Sequence, residues 1–346
     1  MSRASYSISV GGNDVTAMFN PVLISLSITD GDGGKADTLD IELDDRDGQI
    51  ALPAPGSAIE AMLWWEEPPP WASGAAAQFI GTTDEPKSKG SRSEGRILSI
   101  SAKSADLKGK GKHKNSKHKD QAKFGDVAQE WGQAAGYQVS VDSSLASVQR
   151  DFWLMANESF LSWGRRIAHE IGATFKTAHP KAVFVPRNSG ASASGGALSG
   201  VSAVWGQNLI SWEVAPKLSR GLYANAKTRW YDHTKAQWNE ESTPIGAQGA
   251  EADIRETFKA ASRDRAKNRA DANADDSARK QGTGTVTIDG DAAAQAQAML
   301  TIVGARAGVD GDYRIKQSTQ QYSREQGWTT SCEIEQPQGA AGSDKR

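Results

Sequence analysis

Carboxylates crowd together in ADTLDIELDDRDGQIALPAPG, residues 36–56, where Asp37, Asp40, Glu42, Asp44, Asp45 and Asp47 lie close together. Carboxylates at such density can hold a hard cation or serve as a general acid and base. A calcium loop needs D-x-[DN]-x-[DN]-G and a closing bidentate Glu. The overlapping DGDGGKADTLD puts Gly34 where the third acid belongs, and DDRDGQIALPA has neither the triplet nor the Glu. An acid/base pair needs surroundings that push two pKa values apart. Asp40, Glu42 and Asp44 alternate with Leu39, Ile41 and Leu43, which is the pattern of a strand with one acidic and one apolar face.

A second candidate is KGKGKHKNSKHKD, residues 108–120. Lys108, Lys110, Lys112, Lys114, Lys117 and Lys119 would attract phosphate or an acidic protein surface. No aromatic residue is interleaved to stack on bases, so no specific nucleic-acid recognition is expected. Without an apolar residue the run reads as a mobile solvated loop, or one that contacts an acidic partner. His113 and His118 lack a third ligand. His169-Glu170 starts like a zinc-protease H-E-x-x-H but ends at Ala173. GGKAD lacks the Ser or Thr of a phosphate loop, GTGTVTIDG leads into a strand, and there is no G-x-S-x-G elbow. No catalytic residue, metal or cofactor is expected. Trp131, Trp153 and Trp163 read as core, whereas Trp64, Trp65 and Trp71 in LWWEEPPPW read as an interface patch.

These residues are carried by a chain of 346 residues, long enough for two or three folding units. Its 35 Gly and 38% apolar content favour β structure with many turns. The single cysteine, Cys332, excludes an intrachain disulfide and reads as a small core residue in a strand. Neither a signal peptide nor a membrane span is expected. The net charge of −2 conceals segregation: residues 1–60 carry three Lys/Arg against ten Asp/Glu, and residues 87–123 twelve against three. Different surfaces therefore meet different partners.

Period-two patterns predict strands at YSISVGG, PVLISLSITDGDGG, TLDIELD, SAIEAMLWW, AAQFIGTTDEP and GRILSISAKSAD. Phe124, Val127, Trp131 and Ala135 predict a helix stopped by Gly136. NESFLSWGRRIAHEIGATF predicts another, capped by Asn157 and ended at Gly172. NSGASASGGALSG, residues 188–200, reads as a linker or long loop. Beyond it come NLISWEV, a hairpin turning at Asp232 to Lys235, and a charged surface helix at about 251–281 with a stripe of Ile254, Phe258 and Ala261. Strands return before a disordered tail, residues 338–346.

Several segments, in order, resemble the phage late control gene D proteins, the central hubs of contractile-tail baseplates. Gly12 to Thr16 match a G-x-D-V-T turn, and Leu23, Leu26, Ile28 and Asp30 match L-x-x-L-x-I-x-D. Asp37 to Gly56 match D-T-L-x-I-x-L-x-D-R-D-G-x-I-x-L-P-x-x-G. KFGDVAQEWGQAAGY, ANESFLSWGRRIAHEIGATF and GDYRIKQSTQQYSREQGWTTSCEIEQP continue the pattern. WLMANES departs from it by lacking a Gln, and EEPPPWASG and the lysine run are particular to this chain.

The resemblance implies a mainly β fold with an α+β insertion: two tail-tube-like β-barrels, residues 1–105 and 201–337, flanking a basic loop and α+β unit, residues 106–187. It implies a homotrimer in a virion tail baseplate, assembled in the bacterial cytoplasm. Its partners would be the tail tube or tube-initiator protein, the central spike, the tape-measure protein and other baseplate proteins, without membrane insertion. Asp40, Glu42 and Asp44 would face the lumen or a subunit interface. The alternatives are the hub of a phage-tail-like bacteriocin or type VI injector, a peptidoglycan-binding or peptidoglycan-cleaving tail protein, and a DNA-binding regulator.

Overall fold

Alternation of apolar and polar side chains builds most of the structure. The computed structural model describes residues 2–344 except 33–35, 94, 105–108, 179, 188–197, 219–221 and 247–248. Lys108 and most of the expected linker thus lie outside the described residues. Strand Thr38–Asp44 buries Leu39, Ile41 and Leu43 completely and turns its acids to the other face. It pairs antiparallel with Leu23–Gly31 on one side and Gly95–Lys103 on the other.

These strands belong to one 13-stranded sheet. It runs from Leu209–Ala215 through Thr283–Asp289, Gly327–Gln338 and Gly311–Ser323 to Leu23–Gly31. It continues through Thr38–Asp44, Gly95–Lys103, Ala77–Ser91, Ala58–Trp65 and Ala4–Val10 to Asn13–Asp14. Met299–Val303 and Val201–Val204 branch from Gly311–Ser323. The mainly β fold with an α+β part is as expected, but none of the sheets closes into a barrel. The reason is the pairing of Gly311–Ser323 with Leu23–Gly31, with Ser323 opposite Ser25 and Thr319 opposite Thr29. Each half of the sheet spends a strand edge on the other half.

One core lies under the N-terminal strands, around Leu26, Ile41, Leu63, Phe79 and Ile100, and includes Trp328 from the far end of the chain. Another contains Val286, Leu300, Tyr313, Ile315 and the fully buried Cys332, whose thiol pKa burial pushes up to about 12. A third core, with Trp131, Trp153 and Trp163 at 3%, 1% and 0% exposure, lies in the α+β part. There helices Phe124–Ala134 and Phe160–Glu170 pack with the three-stranded sheet of Ala173–Ala178, Lys181–Pro186 and Gln138–Val141. Ser159, not Asn157, caps the second helix, its Oγ accepting from the Ser162 amide. Gly172, at φ +66, permits the left-handed turn that ends it.

The charged helix begins at Arg263 and runs to Arg279, shorter than expected, because Ser262 caps it and Asp253–Arg255 is a strand paired parallel with residues 225–227. Phe258 is 74% exposed, and the buried stripe is Ala266, Ala270 and Ala274. Methyl side chains let the helix approach strands Asn225–Asp232 and Gln237–Pro244 closely but give a weak hydrophobic signal. The chain beyond Gln338 is not a loose tail through Asp344: the Gly342 amide donates to the Gly308 carbonyl. Among the described residues no helix is long and apolar enough to cross a membrane.

Candidate functional site

The outward face of the large sheet is the broadest feature the acidic stretch helps to form. Its register gives two cross-strand rows. One runs Thr287, Ser331, Thr319, Thr29, Thr38, Lys103, and the next runs Asp289, Thr329, Gln321, Ser27, Asp40, Ser101, Glu85. Neither row contains an aliphatic or aromatic side chain, and both cross the junction between the halves. Thr29 and Thr319 join hydroxyls at 3.2 Å there. Glu42 pairs with Lys89 at 3.2 Å, Asp44 with Arg46 at 2.9 Å, and Asp84 with Lys103 at 2.6 Å. Partial burial, then the neighbouring Glu42 charge, raises the Asp40 pKa.

The three tryptophans do not form one surface patch. Trp65 is partly buried, donates its indole N–H to the Gly290 carbonyl at 2.7 Å and packs on Trp328 with ring centroids 5.4 Å apart. Trp64 is half-buried beside it, and Trp71 is 38% exposed while donating to Asp289. Ser73 adds a hydroxyl bond of 2.5 Å to Asp291. The insertion EEPPPWASG is therefore a strap holding the N-terminal strands to residues 289–291. Sequence reading missed this because those residues are distant in the chain.

Lys110 and Lys112 lie in a single 3-10 turn, Lys114 follows it, and Lys117 and Lys119 lie on strand Asn115–Lys123. The expected mobile loop is thus regular structure. Pairing with Gln149–Glu158 supplies the order that the run's own side chains cannot. Lys119 forms an ion pair with Glu130.

Ionic clusters join the α+β part to the rest. Glu170, expected only as part of a failed zinc motif, receives Arg150 at 2.9 Å and Arg166 and Arg269 at 3.3 Å. Those charges hold its pKa down against the burial that would raise it. His169 lies 3.1 Å from Asp276. A cleft of about 440 Å³ between the three parts is lined by Asp30, Asp37, Lys176, Gln297 and Gln320 among others. Lys176 is ion-paired with Asp30. Burial, then the Asp30 charge, pushes the Asp37 carboxyl up to about 7. The acids of TDGDGG, tested above as calcium ligands, thus face Lys176 and Arg314. Among the described residues no three His, Cys, Asp or Glu side chains are grouped to hold a metal ion.

No protein-family model matches the chain. A probable baseplate hub protein of Escherichia phage 186 is 29% identical over 233 residues, 67% of this chain and 57% of that protein. Its counterpart in Escherichia phage P2 is 26% identical over 231 residues, 66% of this chain and 57% of that protein. The aligned region thus spans less than two thirds of either relative. The fold is similar to the 43 kDa tail protein of prophage MuSo2 from Shewanella oneidensis, with a TM-score of 0.70 at 13% identity, covering 96% of this chain and 98% of that one. It is also similar to the E. coli c3393 protein, a type VI secretion component, with a TM-score of 0.54 at 11% identity, covering 99% and 79%. The resemblance to phage baseplate hub proteins read from the sequence holds in these sequence relatives, and the fold is similar to that of phage tail and type VI secretion proteins.

Proposed function

We propose that the chain is a non-enzymatic structural hub of a contractile phage tail baseplate, a trimeric adaptor between a sixfold tail tube and a threefold spike. The observation that carries this reading is the polar face running unbroken across both halves of the 13-stranded sheet. Three chains, each with two β-rich halves, present six sheet sectors, which resolves the symmetry mismatch. In this reading residues 1–105 and 201–337 are the tube-like units and residues 106–187 stand outside the ring. Asp40 and Glu42 look into the lumen, where like charge and hydroxyls keep passing DNA from adhering. The tail tube or its initiator sits on one rim, the spike on the other, and the tape-measure end inside, in the virion after assembly in the host cytoplasm.

The relatives named as hubs support the role, and the fold similarity to a type VI component makes a related injector the second reading. Light-scattering mass and ring images of the purified chain with its spike test the proposal. A trimeric ring is expected, and a chain that stays monomeric with the spike overturns it. Clearing of a peptidoglycan zymogram by the pure protein would overturn the non-enzymatic part.

A further inference from the structure

The lysine-rich run forms an ordered strand edge that the hub role leaves unused. Asn115–Lys123 pairs with Gln149–Glu158 and, among the described residues, with no other strand. The partner strand has side-chain donors on its backbone: the Phe152 and Leu154 carbonyls accept from Arg265 and Arg166 at 2.7 and 2.8 Å. Lys117 and Lys119 stand opposite Met155 and Trp153 and so project on one face. Lys119 is paired with Glu130, whereas Lys110, Lys112, Lys114 and Lys117 have no carboxylate partner among the described residues.

An edge of this kind discriminates. Pairing with its own copy sets lysine against lysine, which is how edge strands avoid self-association. An extended segment with acids at alternate positions meets complementary charge and gains backbone hydrogen bonds. Next to the edge, a pocket of about 230 Å³ is rimmed by Lys110, His113 and Lys117 and reaches down to Trp131, Met155 and Phe160. It suits an apolar side chain adjoining a carboxylate. A nucleic acid fits less well: Glu130 and Asp120 interrupt the cations, and no ring among the lysines offers a stacking platform.

We propose that strand Asn115–Lys123 binds an acidic, extended segment of a partner protein as a third strand, with one carboxylate on Lys117, another beyond the strand's start on Lys114, and an apolar residue in the adjoining pocket. The order already present in the strand lowers the entropic cost of docking.

The test uses the full chain and a fluorescent peptide alternating Glu and Val, with a Lys/Val peptide and a single-stranded oligonucleotide as competitors. Anisotropy is expected to show binding of the Glu/Val peptide that weakens between ~50 and ~200 mM salt. A K114E/K117E variant with an unchanged melting temperature should weaken it by about tenfold or more. Hydrogen exchange of residues 115–121 should slow on peptide addition. Absence of binding, equal binding of the Lys/Val peptide, tighter binding of the oligonucleotide, or binding without protection of this strand each overturn the proposal.

Discussion

Arg314 and Asp32, separated by 282 positions in sequence, meet at 2.7 Å with side-chain exposures of 3% and 11%. The other arm of Arg314 reaches Glu335 at 2.6 Å. One guanidinium therefore neutralises two carboxylates at the junction of the sheet halves. Arg314→Ala should leave both acids buried without their shared cation and cost about 3–5 kcal/mol, read as a drop in the urea midpoint. Arg314→Met combined with Asp32→Asn and Glu335→Gln should recover only part of the loss, since the buried Arg279, 3.8 Å from Glu335, then loses a carboxylate partner. A single-variant loss under about 1 kcal/mol would show that solvent already screens the cluster.

The Trp65 contact makes a separate prediction. Trp65→Phe removes the indole donor to Gly290 and should cost about 1 kcal/mol. Trp65→Ala also removes the packing on Trp328 and should cost about 3 kcal/mol. A Cβ at Gly290 would lie 2.3 Å from the Trp328 ring, so Gly290→Ala should destabilise comparably through overpacking. Trp fluorescence during denaturation reports all three, and near-wild-type midpoints would mean the Trp65–Gly290–Trp328 contact is not a structural joint.

How much of this was legible in the sequence follows the range of each interaction. The face of Leu39, Ile41 and Leu43, the 124–134 helix and the turn at residues 232–236 rest on neighbours within a few positions, and local periodicity reveals them. The pairing of residues 25–31 with 317–323 has no such signature. The family resemblance implied two separate barrels, and no local pattern revealed the pairing that joins both halves into one sheet. The lysine strand was missed for the same reason: its order comes from residues 149–158. In the charged helix, alanine carried the buried stripe that larger residues were expected to carry. The polar sheet face was half legible, since the acidic side of residues 38–44 was plain but the rows it joins are set by register alone.

Glu170 supplies the third prediction. It faces Arg150, Arg166 and Arg269, and Arg269 comes from the charged helix. Glu170→Gln leaves a cluster of cations with no central carboxylate and should cost about 3 kcal/mol. The loss should appear first as faster proteolysis and amide exchange along residues 263–279, because this carboxylate, together with the Arg265–Phe152 and Asp276–His169 contacts, holds that helix to the α+β part. Glu170→Asp, keeping the charge but shortening its reach, should fall between the two. Uniform exchange changes across the chain would contradict the local tether.

Asp37 sets a pH dependence whose sign follows from its neighbours. Its carboxyl is pushed from 3.8 up to about 7 by burial and by Asp30, with Lys176 opposing. Below about pH 4 both folded and unfolded chains hold the proton. From there to about pH 7 the folded chain keeps a proton that the unfolded chain releases, so this group's contribution to stability is lost as pH rises through that window and changes little above it. Asp37→Asn cannot ionise and mimics the protonated form. It should be more stable than the wild type at ~pH 8, by at most about 4 kcal/mol, and close to it at ~pH 4. Urea midpoints measured across that range should converge toward the acid side, and parallel curves for the two proteins would remove Asp37 as the titrating group.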